Sequence, residues 1–185
     1  SSDAATCLLA LNRLWRLNLP LSKLEQLGLT LGADVPFFLR GKNAWVEGIG
    51  DQITPLEGAA RLNPNTYAVI KPKAGVDTAE IFRSPHLKRD SNTATIAGFA
   101  ADQILFCNTA RNDLSEVARQ ICPDVNQAIE WLESQGFNAR MTGSGSAVFS
   151  VLNETTQDSL VKAWSDSDFC KKGWQFRVCS SLEAH

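Results

Sequence analysis

The sequence predicts an α+β fold, helices packed against a mostly antiparallel sheet, and three observations carry that prediction. From residue 66 onward the pattern runs strand, helices, strand, strand, helix, strand, the order of a ferredoxin-like α/β sandwich. Before residue 57 it reads instead as helices and one hairpin. Between them, residues 55–65 are rich in turn formers, which predicts domains at 1–57 and 58–185.

Each element has a local reason. Ser1 or Ser2 can cap a first helix with Asp3 in its first turn, and Ala4, Leu8, Leu11 and Trp15 make one apolar face. That helix is expected to end near Leu17 to Asn18, ahead of Pro20. A second helix fits Leu21 to Leu29, with Leu24 and Leu27 inward and Gly28 near its end. In residues 31–39 one carboxylate, Asp34, sits in an apolar run between Gly32 and Pro36. It reads either as a turn or cap residue before a strand, or as a catalytic base at a helix-to-strand junction.

Alternation on both sides of Gly48-Ile49-Gly50-Asp51 predicts a hairpin over residues 43–47 and 52–54. Residues 66–71 are a strand stopped by Pro72, and Asp77 or Thr78 caps a short helix through Phe82. Residues 83–108 read as a long loop with one irregular helix. Asn112-Asp113-Leu114 opens a helix to Ile121, and Pro123 opens another carrying Val125, Ile129 and Leu132 and ending near Gly136. Strands are expected at 137–141, 147–152 and 174–179, with a helix at about 154–165.

Composition narrows the function classes. A net charge of -2 gives no electrostatic case for nucleic acid or an acidic membrane surface, and no apolar run is long enough to span a bilayer. Cys7, Cys107, Cys122, Cys170 and Cys179 are odd in number, scattered and without a Cys-x-x-Cys pair, which points to reduced thiols in a cytoplasmic protein. With only His86 and His185, a histidine metal site or a Ser-His-Asp triad is not expected, and acid–base work falls to carboxylates and lysines. Asp51, Asp77 and Asp113 hold turn or cap positions. Lys71 and Lys73 flank Pro72 at a strand end, where they can meet an anion but read foremost as solvated charges.

Three features together suggest phosphoryl transfer. The Ser1-Ser2 helix start offers amides and hydroxyls to a phosphate, Asp34 can take a hydroxyl proton, and the small-residue loop Thr142-Gly143-Ser144-Gly145-Ser146 can close over a site. Alone, that loop also reads as an ordinary hairpin turn.

With these residues in view, the sequence resembles the galactokinase, homoserine kinase, mevalonate kinase and phosphomevalonate kinase superfamily. Ser-Ser-Asp-Ala-Ala-Thr at 1–6 is similar to the end of that superfamily's glycine-rich ATP loop. Leu-Gly-Ala-Asp-Val-Pro-Phe-Phe at 31–38 resembles more narrowly its 4-diphosphocytidyl-2-C-methyl-D-erythritol kinases. So do Arg-Gly at 40–41, Glu-Gly-Ile-Gly at 47–50, Asn-Asp-Leu at 112–114 and Met-Thr-Gly-Ser-Gly-Ser at 141–146. The resemblance implies a two-domain kinase fold with ATP and substrate in the cleft between the domains. It implies ATP-dependent phosphorylation, with Mg2+, of the 2-hydroxyl of a cytidine diphosphate-linked methylerythritol in non-mevalonate isoprenoid synthesis.

By the same resemblance Asp34 matches the catalytic aspartate, and Ser1, Ser2, Thr142, Gly143, Ser144 and Gly145 match positions around ATP. Asp3, Ile49 and Thr78 match positions near the substrate, Ile49 through its backbone toward the cytosine. Ser146 stands where relatives often carry Cys. The family's catalytic lysine, its cytidine-stacking aromatic and histidine, and most glycines of its ATP loop match nothing from Ser1 onward. The chain by itself is therefore expected to be inactive, with processing or truncation behind its start at Ser1. A kinase for another small alcohol, such as homoserine or mevalonate, and a non-catalytic binding module that keeps the fold are the alternatives. Exposed apolar faces from residues 1–57 should make the isolated chain poorly soluble, and binding of a hydrophobic dye would register them.

Overall fold

A computed structural model describes residues 1–62, 64–103 and 109–182. Along the chain run helices α1 (Ser2–Leu14), α2 (Leu21–Leu31) and α3 (Val35–Arg40), then strands β1 (Ala44–Glu47) and β2 (Gln52–Pro55). A 3-10 turn (Gly58–Ala60) leads to β3 (Thr66–Lys71), α4 (Thr78–Arg83) and α5 (Ile96–Ala101). There follow α6 (Ser115–Ile121), α7 (Pro123–Ser134), β4 (Arg140–Met141), β5 (Val148–Leu152), α8 (Glu154–Asp166), α9 (Asp168–Lys171) and β6 (Gln175–Ser180). These elements form two compact units. One comprises the described residues of Ser1–Asn63, Thr95–Gln103 and Leu182–His185, the other those of Pro64–Ala94 and Ile104–Ser181.

In the first unit α1 stops at Leu14, earlier than its apolar spacing predicts. The Asn12 side-chain amide donates to the Leu19 carbonyl (3.2 Å) and accepts from the Leu19 N–H (3.0 Å). This two-way clip competes with the helix ladder, and the turn it stabilises carries Arg16 and Asn18 at φ 52° and 51°. Ala5, Leu24, Val35 and Leu39 form the unit's buried cluster, flanked by Ala4, Leu8, Leu19 and Phe38. Leu27, expected inward, is instead 39% exposed, whereas Leu11 and Trp15, at 38% and 62%, belong to the apolar face expected to lie open in residues 1–57. The cluster meets α1 through its N-terminal half, and Leu14, in its other half, is 74% exposed.

Two further expectations are corrected here. Gly28 lies inside α2, which continues to Leu31. A β-carbon at Gly28 would come within 2.9 Å of both Leu39 Cδ1 and Val35 Cγ1, so glycine is what lets α3 cross α2 closely. After Asp34 the chain forms a short helix, not a strand. Pro36 near the helix start fixes a helical φ, and Gly41 closes the helix in the left-handed region at φ 62°. The hairpin forms as predicted, with Ala44 opposite Pro55 and Glu47 opposite Gln52. The irregular helix expected within residues 83–108 is α5, capped by the Thr95 side chain accepting from Gly98 N–H at 3.1 Å. Residues 104–108 of that stretch, Cys107 among them, lie outside the described residues, as does His185.

The second unit is an antiparallel sheet in the order β4-β5-β3-β6, the ferredoxin-like arrangement predicted. Alternation sets its inner face: Ala68 and Ile70 of β3 and Val148, Ser150 and Leu152 of β5 are buried. They join Val117 and Ala118 of α6, Val125, Ala128, Ile129 and Leu132 of α7, and Leu160 and Trp164 of α8 in the core, Ser150 excepted. Strand β4 is shorter than the expected 137–141. Asn138 gives its carbonyl to the Ser150 hydroxyl (2.9 Å), and only Arg140 and Met141 pair with β5.

Gly28→Ala is expected to destabilise the first unit although alanine is the better helix former by about 1 kcal/mol. The new methyl group meets β-branched Val35, whose side chain cannot swing away, and overpacking of this kind costs about 1–3 kcal/mol. Chemical denaturation of the variant should therefore show a lower midpoint than the wild-type chain.

Candidate active site

In the first unit, Asp34 sits one residue before α3 with helical dihedrals (φ -84°, ψ -10°), and its side chain makes no capping bond. The apolar run does not bury it: Val35, Pro36 and Leu39 turn inward, while Asp34 is exposed. Its carboxylate is thus left available, without the desolvation that the surrounding sequence suggested.

The four other candidates in this unit lie on two sides of it. Val35 shares the buried cluster with Ala5, which ties the start of α3 to the start of α1, where Ser1, Ser2 and Asp3 are all exposed. Ser1 takes the cap position without a side-chain capping bond, and its carbonyl accepts from Ala5 N–H at 3.0 Å. On another side the hairpin turn approaches. At Gly50 (φ 110°) a β-carbon would lie 3.1 Å from the Ala33 carbonyl oxygen and 3.2 Å from its β-carbon, so only glycine lets the turn rest against the residue before Asp34. Ile49, at the tip, is 75% exposed, and its amide donates to Asp51 Oδ1 at 3.2 Å. Arg40 anchors this arrangement by donating to Glu25 Oε1 (2.6 Å) and to the Ile53 carbonyl (3.1 Å), linking α2, α3 and β2.

In the second unit the Thr142–Ser146 loop is zipped to the turn after β3. Thr78 Oγ1 and Ser144 Oγ lie 2.7 Å apart in a hydrogen bond, and the Ser146 hydroxyl, only 1% exposed, donates to the Ala74 carbonyl at 2.5 Å. Gly145 (φ 90°) rests on Met141 and Val76, where a β-carbon would come within 2.9 Å of the Met141 sulfur. Gly143 (φ 56°) faces open space instead.

Sequence reasoning did not find two residues that hold this loop. Asn112 does more than open a helix: its amide donates to the carbonyls of Met141 (3.1 Å) and Gly143 (2.8 Å) while its oxygen caps Leu114 N–H (3.1 Å). Lys71 is no solvated charge: its ammonium donates to the Pro72 carbonyl (2.9 Å), the Ala74 carbonyl (3.3 Å) and Ser146 Oγ (2.8 Å). The sequence signals were a lysine at a strand end and an asparagine before a helix, in the Asn-Asp-Leu match, and neither pointed to the loop.

The loop's positive-φ glycine backbone, with the half-buried Ser144 hydroxyl paired to Thr78 beside it, fits an anionic group such as a phosphate. Among the described residues no three His, Cys, Asp or Glu side chains cluster to hold a metal ion, so no residue here is assigned to Mg2+. No helix of the described residues is long and apolar enough to cross a membrane.

Comparison with known proteins agrees with a kinase architecture. Residues 100–168 match the family model described as GHMP kinases C terminal. Over all of its 185 residues it is 52% identical to a 4-diphosphocytidyl-2-C-methyl-D-erythritol kinase of Acidovorax sp. (strain JS42), of which it covers 61%. It is 54% identical to the enzyme of that name from Verminephrobacter eiseniae (strain EF01-2), covering 63% of it. The crystal structure of a 4-(cytidine 5'-diphospho)-2C-methyl-D-erythritol kinase superposes with a TM-score of 0.66 at 29% identity, over 82% of this chain and 55% of that one. The chain thus spans about three-fifths of the length of the curated relatives it matches.

Asn112→Ala should release two loop carbonyls and one helix-start amide together, at a cost of about 1–3 kcal/mol. Faster amide hydrogen exchange at residues 141–146 together with a lower melting temperature is the expected result.

Proposed function

We propose that the protein containing this chain is an ATP-dependent small-molecule kinase that phosphorylates the 2-hydroxyl of 4-diphosphocytidyl-2-C-methyl-D-erythritol, a cytoplasmic step of non-mevalonate isoprenoid synthesis. The observation that carries this reading is Asp34: an exposed carboxylate, free of any capping bond, standing where the start of α1 and the hairpin turn converge, in a chain about half identical to kinases of that name. In this reading residues 1–57 complete an ATP-binding domain and residues 58–185 form the C-terminal domain.

The chemistry asks little covalent work of the protein. The acceptor hydroxyl gives its proton to an Asp34 oxygen while its own oxygen bonds to the γ-phosphorus, and the bridge between the β- and γ-phosphates breaks to leave ADP. Ser1 and Ser2, at the start of a thirteen-residue helix, offer hydroxyls and amides to the phosphates. In the second unit, Thr142, Gly143, Ser144 and Gly145 are assigned by the resemblance to nucleotide binding and Thr78 to acceptor binding. In the first unit, Asp3 and the Ile49 backbone are assigned to the acceptor on the same ground; for Ile49 this requires either its carbonyl or release of its amide from Asp51. Mg2+ would accompany the triphosphate and neutralise its charge.

Asp34→Asn in the complete gene product tests the assignment. Asparagine keeps the size and exposure of the side chain but accepts no proton, so kcat is expected to fall by about 10²–10⁴ with an unchanged melting temperature. Undiminished turnover would remove Asp34 from the role of base. Phosphorylation of homoserine or mevalonate in preference to the cytidylyl acceptor would overturn the substrate assignment.

A further inference from the structure

We propose that Lys71 is a positioning residue for the reaction: acting through Ser146, it sets the seat that the 142–146 loop offers to the ATP phosphates. The inference rests on the kinase reading above, and it concerns a residue to which neither the resemblance nor the comparisons give a role.

The geometry of the ammonium carries it. All three Lys71 protons are spent, on Pro72 O (2.9 Å), Ala74 O (3.3 Å) and Ser146 Oγ (2.8 Å). Every acceptor is neutral, and no carboxylate pairs with Lys71 among the described residues. A half-buried cation without a counter-charge is a costly way to fasten a turn that an uncharged donor would fasten as well. Its positive charge is left uncompensated at the root of a loop in which Gly143 has open space on its β-carbon side and Ser144 is held by Thr78.

Ser146 is the link. Its buried hydroxyl accepts from Lys71 and donates to the Ala74 carbonyl, so both its lone pair and its proton are oriented. One residue earlier, Gly145 rests on Val76, and one residue before that, Ser144 bonds Thr78. The 142–146 loop and the 72–78 turn are therefore joined at three successive loop residues, and Lys71 lies beneath the innermost join. Lys71 touches no substrate position itself; it fixes where the loop stands and supplies charge behind it.

The test uses the complete gene product with ATP and the cytidylyl acceptor. Lys71→Met keeps the aliphatic stem and removes the charge and donors. The KM for ATP is expected to rise about tenfold, the equivalent of one lost charge-assisted hydrogen bond, with the acceptor KM changed less than about threefold. In a Ser146→Ala background the same substitution should have a smaller effect, because the positioning path runs through that hydroxyl and only the field of the ammonium is then left to lose. An unchanged KM for ATP, an equal loss for both substrates, or full additivity with Ser146→Ala would each reduce Lys71 to a fold-stabilising residue and overturn the inference. If Lys71→Met does not fold, Ser146→Ala alone decides: a selective rise in the KM for ATP supports the inference and an unchanged value overturns it. Absence of any ATP-dependent phosphorylation by the wild-type product is a different result, which overturns the kinase reading itself and the inference with it.

Discussion

The first unit depends on how closely α3 is allowed to approach α2. The missing side chain at Gly28 admits Val35 and Leu39 to van der Waals contact with the α2 backbone, and those two residues form a buried cluster with Ala5 and Leu24. Because Val35 follows Asp34 directly, the depth at which Val35 seats fixes where the carboxylate stands. Arg40 holds the other end of the same short helix. Its ion pair with Glu25 is partly buried, at 33% and 19% side-chain exposure, and its second guanidinium nitrogen reaches Ile53 in the hairpin. A six-residue helix has too few ladder bonds to persist alone. Apolar seating at one end and a charge-assisted clamp at the other keep it in place.

The second unit solves its positioning problem by different means. Its frame is apolar and regular, with Ala68, Ile70, Val148 and Leu152 facing three helices. The loop that frame presents has no apolar side chain between Thr142 and Ser146 with which to anchor itself. Its anchors are polar: Asn112 under Met141 and Gly143, Lys71 under Ser146, and Thr78 beside Ser144. Such a network has asymmetric energetics. Each satisfied bond adds about 1 kcal/mol, but a partner left unsatisfied in a half-buried place costs more than the bond was worth.

These two modes explain what could be read from the sequence. The hairpin, β3, β5 and β6 were legible because alternation of side chains and Gly-rich turns are local signals. Helix α7 was legible from Pro123 at its start and the spacing of Val125, Ile129 and Leu132. The strand expected after Asp34 was a misreading with a clear cause. Val-Pro-Phe-Phe-Leu has the composition of a buried strand, and only the packing of Val35 and Leu39 against Gly28 makes it a helix. The early end of α1 depends on an amide clip across seven residues, which helical periodicity cannot register. The candidate site divides along the same line. Asp34 and the glycines of the 142–146 loop stood out in short motifs. The loop-holding roles of Lys71 and Asn112 did not, although Asn112 lies in the Asn-Asp-Leu match, because their loop partners lie 75 and 31 residues away.

Phosphoryl transfer rewards positioning above all, so the physical nature of each anchor matters to the proposed chemistry. An apolar seat such as that of Val35 places a neighbour without imposing a field on it, which suits a general base that must remain free to accept a proton. A cation does the opposite. At an effective dielectric near 20, a unit charge about 7 Å from an anion contributes about 2 kcal/mol, and a carboxylate partner at the lysine would cancel most of it. Neutral acceptors leave that field intact while still fixing the ammonium in space. The choice of carbonyls and a hydroxyl around Lys71, where an aspartate would have made the stronger tether, is therefore what a loop facing phosphates requires.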